Sequence, residues 1–579
     1  MPPSELTYIR PVSKISASRA TEQTSDAYLK SWRPYAALVL LAVLVYGRSL
    51  WFGYTNFDDD ILILKQVDRL RHLSSLGQAF QSPFLGTYYR PIVTLSLMID
   101  AQVGGARPWI YHVSNLLYHA IVCCLAFSLL VQLQIRRLPA LVALLAFAVH
   151  PIATQAVVWI PGRNDTLLAV FLLLAVLAYM RMCETGKRSW LIGHWLAFTC
   201  ALLAKETALV IPVIVLLYHA VVARKRLLSR PMILCASGWI LIAAAWYLVR
   251  HPIVAARPGV ANPVAVGALL TNLRVPLELF GKMILPLRMS PYPTCGVLPT
   301  IAGVMGLAGL TALLGRRHDQ GDRLRIFAVS WMVITLLPPL LVRIANAQSR
   351  FDYLESRGYT VAIGFAILTA GMLDDRRLLG SPVRLRVAGL VVLVLSILSI
   401  SYSGVFRDPV AHWTRAVQMS PKSSDALFNF GIALSEIPQG LPRAVDAYQR
   451  AIRLDPGVSA YHDNLGIAYG RQGLLREATG EFRTAIALDS LDALPYNNMG
   501  YAEYLLGDHD AAERLWKRAL AHDSTFVEPA TKLALLYRSE GRRDEARVYA
   551  RRLRRQGAAL DSGLVRLAEE ADSTNAMRR

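Results

Sequence analysis

"PYAALVLLAVLVYGRSLWFGYTNFDDDILIL", residues 34–64, runs from an apolar segment straight into three adjacent aspartates, Asp58, Asp59 and Asp60. A helix needs about 20 apolar residues to span the hydrocarbon core of a bilayer, so the first part of the stretch reads as a transmembrane helix. Neighbouring carboxylates repel one another and are costly to dehydrate. Their position at the helix end marks a membrane–water boundary with a use for negative charge.

The remainder of the chain extends that reading. Its 579 residues are 54% hydrophobic with a net charge of +21, and the mean hydropathy is +0.35. That combination is expected of an integral membrane protein with more than one domain. The basic residues fall in short clusters between apolar runs, as in "LQIRRL", "ARKRLLSR", "LLGRRHDQGDRLR" and "DDRRLLGSPVRLR". Cytoplasmic loops carry such clusters; a nucleic-acid-binding face would gather them into one patch. Apolar runs predict about eleven spans, near 35–52, 112–133, 139–158, 165–182, 189–204, 206–222, 232–250, 299–315, 325–342, 359–373 and 387–405. If the polar, aperiodic arm 1–34, expected to be largely disordered, is cytoplasmic, the basic clusters share its side and the C-terminus lies outside. The arm shows no short apolar stretch ending in a cleavage site, so the first helix is expected to stay as an anchor. Five of the six cysteines lie in or beside apolar runs and Cys295 in a loop, forming neither a disulfide framework nor a zinc pattern.

After the last span the composition becomes charged and helix-friendly. "NLGIAYGRQGLLREATGEFRTAIALDS", residues 464–490, has neighbours in the same register on both sides, at a period near 34 residues that identifies tetratricopeptide repeats. Leu465, Gly466, Tyr469, Ala478, Phe482 and Ala485 occupy the small and large packing positions. The fold class is therefore all-α: a polytopic membrane helix bundle over 35–407, then an α-solenoid over 408–560 of about four repeats led by a half-repeat at "HWTRAVQMSP". Residues 561–579 read as a C-terminal tail.

The polar residues of the membrane half gather on the outer face of this topology. The first outer loop, 53–111, is far longer than a simple connection and is expected to be functional. It carries the aspartates and, in "GTYYRPIVTLSLMID", Arg90. His112, Asn115 and His119 share one face of the following helix, where they serve either a site or helix–helix hydrogen bonds. The next outer segments hold His150, Gln155, Arg163 and Asp165, then Lys205 and Glu206, then Arg350, Asp352, Glu355, Arg357 and Tyr359. Carboxylates, arginines and histidines converging on one boundary suit a charged, membrane-anchored substrate.

In their order, "FDDDILI", "YYRPIVTLSLMID", "YHVSNLLYHA", "HPIATQAVVWIPGRNDTL", "LLAKETALVIPV" and "YLESRGYTVAIGF", followed by tetratricopeptide repeats, resemble the transmembrane-and-tetratricopeptide O-mannosyltransferase family, of the GT-C class. The resemblance runs from about 35 to 560. It implies a GT-C membrane domain, a polyprenyl-phosphate-linked sugar as donor, and transfer to a hydroxyl acceptor on the outer face. The family's paired Asp falls on Asp58 and Asp59, its Arg-Pro on Arg90 and Pro91, its Gly-Arg-x-Asp on Gly162, Arg163 and Asp165, and its Lys-Glu on Lys205 and Glu206. Its Glu-Arg-Tyr-Leu-Tyr segment reads "ESRGY" here, matching Glu355 and Tyr359 with the arginine displaced to Arg357.

Inverting transfer needs a base for the acceptor hydroxyl, a role open to either Asp58 or Asp59, while Asp60 is expected to point to solvent. The leaving phosphate needs cations, for which Arg90, Arg163, Lys205, Arg350 and Arg357 are available. His112, Asn115, His150, Asp165, Glu206, Glu355 and Tyr359 complete the expected substrate-binding set. No spacing demands a divalent metal, although carboxylates that could hold one are present. The repeats would hold a polypeptide acceptor or partner, in the periplasm of a bacterium or the endoplasmic reticulum lumen of a eukaryote. The competing readings are a catalytically silent envelope scaffold and a transporter; against the latter, the carboxylates cluster at one face and no inverted repeat is visible.

Overall fold

Proline opens many of the membrane helices. Pro34, Pro91, Pro108, Pro151 and Pro382 all sit in first turns, where the missing N–H is no loss and the fixed φ favours the helix. The computed structural model describes residues 29–255, 272–314, 321–341, 353–374 and 381–576. Among these residues the secondary structure is helical, with one isolated β-bridge between Phe84 and Tyr88. The chain divides into two compact units, the second running from Ser420 and the first holding most of what precedes it.

Among the described residues, six helices of the first unit are long and apolar enough to cross a membrane: Arg33–Trp51, Pro108–Gln132, Ile160–Thr185, Arg230–Val254, Glu355–Leu373 and Pro382–Phe406. The chain is thus a multi-pass membrane protein. Of the eleven runs expected as spans, 299–315 and 325–342 end outside the described residues, and several others are interrupted. Run 139–158 breaks into Arg137–Ala148 and Pro151–Val158, bent by 60°, and would be a seventh span if the pair is one crossing. Pro151 cannot donate to the preceding turn, and His150 caps the new helix by accepting from the Ile152 N–H at 3.1 Å. Run 206–222 is a succession of 3₁₀, α and π turns, and helix Arg188–Ala204 has only 17 residues. Helix Ile160–Thr185 is the buried centre of the bundle, whereas Arg230–Val254 and Pro382–Phe406 are mostly uncovered, as lipid-facing helices must be.

The long first outer loop, 53–111, is itself folded. It folds into three short α-helices and two 3₁₀ turns and then Pro91–Gly104, packed through Leu62, Ile63, Val93, Leu97 and Met98 onto Tyr111 and Leu167. At the opposite end of the helices, Arg136 of the first basic cluster pairs with Asp374 at 2.8 Å, and Arg137 donates to the Leu29 carbonyl. Helix Pro409–Met419, read as a leading half-repeat, lies within the first unit. Its Trp413 and His412, with Tyr292 and Trp159, surround Phe57 at ring-centroid distances of 5.1–6.1 Å.

The second unit is a solenoid of antiparallel helix pairs, beginning Ser424–Ser435 with Leu441–Leu454 and ending Val527–Ser539 with Arg543–Arg555. In the first three pairs a glycine of the first helix, Gly431, Gly466 or Gly500, is required by close approach. A Cβ on Gly466 would stand 2.6 Å from Phe482, and one on Gly500 2.7 Å from Trp516. The residues expected as a tail instead form helix Ser562–Ala576, which covers Leu553 and Tyr537 with Leu564 and Leu567 and closes the open end of the stack.

Candidate active site

The acidic loop divides its carboxylates sharply. Asp59 is buried and accepts three hydrogen bonds, from the Thr55 N–H at 2.7 Å, the Thr55 hydroxyl at 2.9 Å and the Phe57 N–H at 3.1 Å. It is a backbone clamp. Asp58 accepts none from any described residue. It holds a left-handed backbone, φ +67°, sparsely populated for a residue with a side chain and stable only where its surroundings enforce it. Asn56 is left-handed as well, at +53°. The enforcement comes from the Asp59 clamp, the aromatic ring around Phe57, and Trp159 Nε1 donating to the Phe57 carbonyl at 3.0 Å. Burial, and next the neighbouring Asp60, push the Asp58 carboxyl up to about 6 against the pull of Arg90. Burial likewise raises Asp59 to about 6 against its hydrogen bonds from Thr55 and Phe57. Asp60 pairs with Lys65 at 3.3 Å at the surface.

Beside Asp58 lies a cluster of three cations and two further carboxylates. Arg90 makes a forked pair with Glu206, Nη2–Oε1 2.6 Å and Nε–Oε2 3.2 Å, and stacks its guanidinium over Tyr88, 4.1 Å from the ring centre. Lys205 Nζ lies 2.5 Å from Asp165 Oδ1 and 3.0 Å from Asn164 Oδ1. Arg357 interacts electrostatically with Arg90, Asp165 and Glu206, yet makes no side-chain hydrogen bond or ion pair with a described residue. These groups come from four segments that are far apart in sequence. With Asp58 counted, three negative and three positive charges face one another, and the uncommitted pair is Asp58 and Arg357.

Most of the other expected site residues that are described are engaged by hydrogen bonds within the bundle. Arg163 is completely buried, donating to Asn115 Oδ1, Ser96 Oγ and the Tyr111 carbonyl and pairing with Asp100 at 2.7 Å. Asn115 also ties the Trp159 and Ile160 carbonyls. Gly162 permits this turn, since a Cβ there would meet the Gln155 carbonyl at 2.6 Å. His112 is buried against Phe52. His150 Nε2 donates to the Met283 carbonyl at 3.0 Å, and Gln155 bridges the Pro291 carbonyl and the Ser356 N–H. Tyr359 donates to His119 Nδ1 at 2.6 Å, and the other ring nitrogen donates to the Ala148 carbonyl. Glu355 is buried, accepting from Lys282, the Ser290 N–H and Tyr402 at 2.7–3.0 Å. Arg350 and Asp352 lie outside the described residues.

Sequence reasoning passed over Lys282, Glu278, Tyr353 and Tyr402, which form this last network with Glu355. Its signal was available: Glu278 and Lys282 are four apart in "RVPLELFGKMI", an amphipathic helix beside the membrane runs. Among the described residues no group of three or more His, Cys, Asp or Glu could hold a metal ion.

The fold and this face define a multi-pass helical membrane protein with a charged cluster at one end of its bundle, followed in the chain by a repeat solenoid. A family described as "Dolichyl-phosphate-mannose-protein mannosyltransferase" matches residues 101–249. Protein O-mannosyl-transferase TMTC2 of Homo sapiens is 37% identical over 193 residues, covering 30% of this chain and 23% of that protein. TMTC3 of Homo sapiens is 22% identical over 510 residues, covering 78% and 54%. Tmtc2 of Drosophila melanogaster is 31% identical over 312 residues, covering 48% and 31%. These matches relate the chain to the transmembrane-and-tetratricopeptide O-mannosyltransferase family, and the chain spans about half or less of the length of each of these relatives. Among solved structures, the tetratricopeptide-repeat protein YrrB is 22% identical, covering 29% of this chain and 83% of its own, with a TM-score of 0.24.

Proposed function

We propose that the chain is a membrane glycosyltransferase that moves mannose from a polyprenyl-phosphate donor to a hydroxyl of a polypeptide, with inversion at the anomeric carbon. The observation that carries the reading is that Asp58, which accepts no hydrogen bond from a described residue, and Arg357, which makes no hydrogen bond or ion pair with one, both interact electrostatically with Arg90.

The acceptor oxygen attacks the anomeric carbon as the bond from that carbon to the phosphate oxygen breaks. Asp58 takes the hydroxyl proton, and its raised affinity for protons makes it a better base than a solvent-exposed aspartate. The departing polyprenyl phosphate gains a negative charge, which Arg357 neutralises with Arg90 behind it. Glu206 holds Arg90 in place, Asp165 holds Lys205, and Asp59 sets the loop that aims Asp58. The reaction face lies opposite the basic loops, hence periplasmic in a bacterial inner membrane or lumenal in the endoplasmic reticulum. The solenoid offers the acceptor a repetitive surface of the kind that binds extended chain.

The test is a transfer assay with purified protein in lipid, radiolabelled polyprenyl-phosphate-mannose, its glucose analogue and a peptide mixture. Label passing from the mannose donor to peptide with the wild type, and not with Asp58→Asn, is the expected result. Equal transfer by both proteins would overturn the assignment of Asp58.

A further inference from the structure

At the far end of helix Ile160–Thr185, about 30 Å along its axis from Asp165, the chain turns at Gly186, φ +68°, into helix Arg188–Ala204. Loop 223–229 folds back over this turn after the π-helical residues Tyr218–Val222. His219, buried, fastens it. Tyr179 donates to its Nδ1 at 2.6 Å, and its Nε2 donates to the Arg226 carbonyl at 3.0 Å. Lys225 Nζ donates to the Cys183 carbonyl at 3.0 Å. The result is a cavity of about 530 Å³.

Arg188, Lys225, Arg226 and Arg230 line this cavity, and no acidic side chain does. The three arginines make no ion pair with any described residue. Ser229, immediately before helix Arg230–Ala255, contributes a buried hydroxyl oxygen with no hydrogen-bond partner. A hydroxyl left dry and unpaired costs free energy unless something arrives to bond it. In the first turn of that 26-residue helix Pro231 has no N–H and the Ile233 N–H is bonded to the Ser229 carbonyl at 2.9 Å, so what the helix end offers an anion is chiefly its dipole. Met182, Leu191 and Leu234 supply an apolar wall. Outside, Leu228 is 88% exposed in the middle of the basic loop. Apolar side chains flanked by cations in this way suit the headgroup–acyl boundary of a bilayer rather than open water.

As in loops that are basic merely to fix topology, the four cations are exposed. Here, however, they converge on a cavity with an unsatisfied hydroxyl and a helix N-terminus. We infer that the cavity binds the phosphate of an anionic phospholipid from the leaflet at the basic-loop end. The phosphate is bonded by Ser229 and faced by Arg226 and Arg230, and an acyl chain runs along Leu191 and Leu234. The site is remote from the Asp58 face and does not depend on the transferase reading.

The test counts lipid retained by the purified full chain, by native mass spectrometry from nanodiscs of phosphatidylcholine with or without 30 mol% phosphatidylglycerol. The wild type is expected to keep one phosphatidylglycerol per chain in preference to phosphatidylcholine. Each cation near a membrane surface contributes about fivefold in affinity, so Arg226→Gln/Arg230→Gln is expected to weaken retention about 25-fold. Ser229→Ala removes an atom unpaired in the empty protein and so leaves folding intact; it is expected to weaken retention as well. Arg551→Gln, on the solenoid, should leave it unchanged. Retention equal in the wild type and in both cavity variants would overturn the inference. Displacement of the lipid by millimolar inorganic phosphate would overturn the lipid as the occupant and identify a free-anion site.

Discussion

Asp58→Asn and Asp59→Asn differ by one position and by little in shape, yet they should fail in opposite ways. Asparagine at 59 presents one acceptor oxygen where the carboxylate had two. Placed to keep the two Thr55 bonds, it turns its amide NH2 toward the Phe57 N–H, donor against donor. Two charge-assisted bonds become neutral ones at about 1 kcal/mol each, and one buried donor is left unpaired at about 1–3 kcal/mol, giving about 3–5 kcal/mol of destabilisation. At 58 no hydrogen bond is lost, and asparagine tolerates the left-handed backbone at φ +67°. Stability should move by no more than about 0.5 kcal/mol, while loss of a general base should slow transfer by about 10²–10⁴-fold. Thermal unfolding in detergent, hydrogen exchange across residues 53–60 and sugar transfer should be measured on both variants. Asp59→Asn should melt early and exchange fast at Phe57, and Asp58→Asn should melt and exchange as the wild type but transfer little. A wild-type melting curve for Asp59→Asn, or at least half of wild-type transfer by Asp58→Asn, would refute the division of labour.

Four further outcomes are expected. Because the Asp58 carboxyl is raised to about 6, kcat/KM should climb with pH and level off above about pH 6; its folded proton affinity exceeds the unfolded one, so the same group should lower stability as pH rises from about 4 to 6, a slope that Asp58→Asn should flatten. Arg357→Gln should leave melting unchanged and reduce kcat/KM for the donor by about 10²–10³-fold, read in donor titrations. Arg163→Leu should cost about 3–5 kcal/mol by stranding buried Asp100, seen as loss of monodisperse protein on size exclusion. Trp413→Ala should open the ring of side chains around Phe57, speed exchange at residues 55–58 and lower kcat more than it raises KM, with Trp413→Phe restoring most of both.

The repeats were readable because their packing is local: in three of the four units a glycine is followed 16 or 17 residues on by an aromatic, and the structure sets them against one another at Gly431–Tyr448, Gly466–Phe482 and Gly500–Trp516. The membrane half was readable as apolar runs but not as crossings. Whether a run continues through His150–Pro151 depends on partners such as the Met283 carbonyl, which lie far away in sequence. At the site, residue type identified the charged residues, but it did not distinguish Asp58 from Asp59, or Arg357 from Arg163. That distinction rests on which side chains the backbone has already engaged, a property of the folded chain. The Glu278–Lys282 pair escaped because "RVPLELFGKMI" is too short and too polar to be read as a span.

The break at His150 also bears on how variant collections of this chain should be interpreted. His150 and Gln155 stand in for backbone partners at membrane depth, each joined to carbonyl or N–H groups of distant segments. Replacing either would remove sugar transfer from an activity screen as surely as replacing a catalytic group. Only an accompanying measure of protein abundance would separate them: variants at these positions should vanish from the membrane fraction, whereas those at Asp58 should accumulate there, intact and inert.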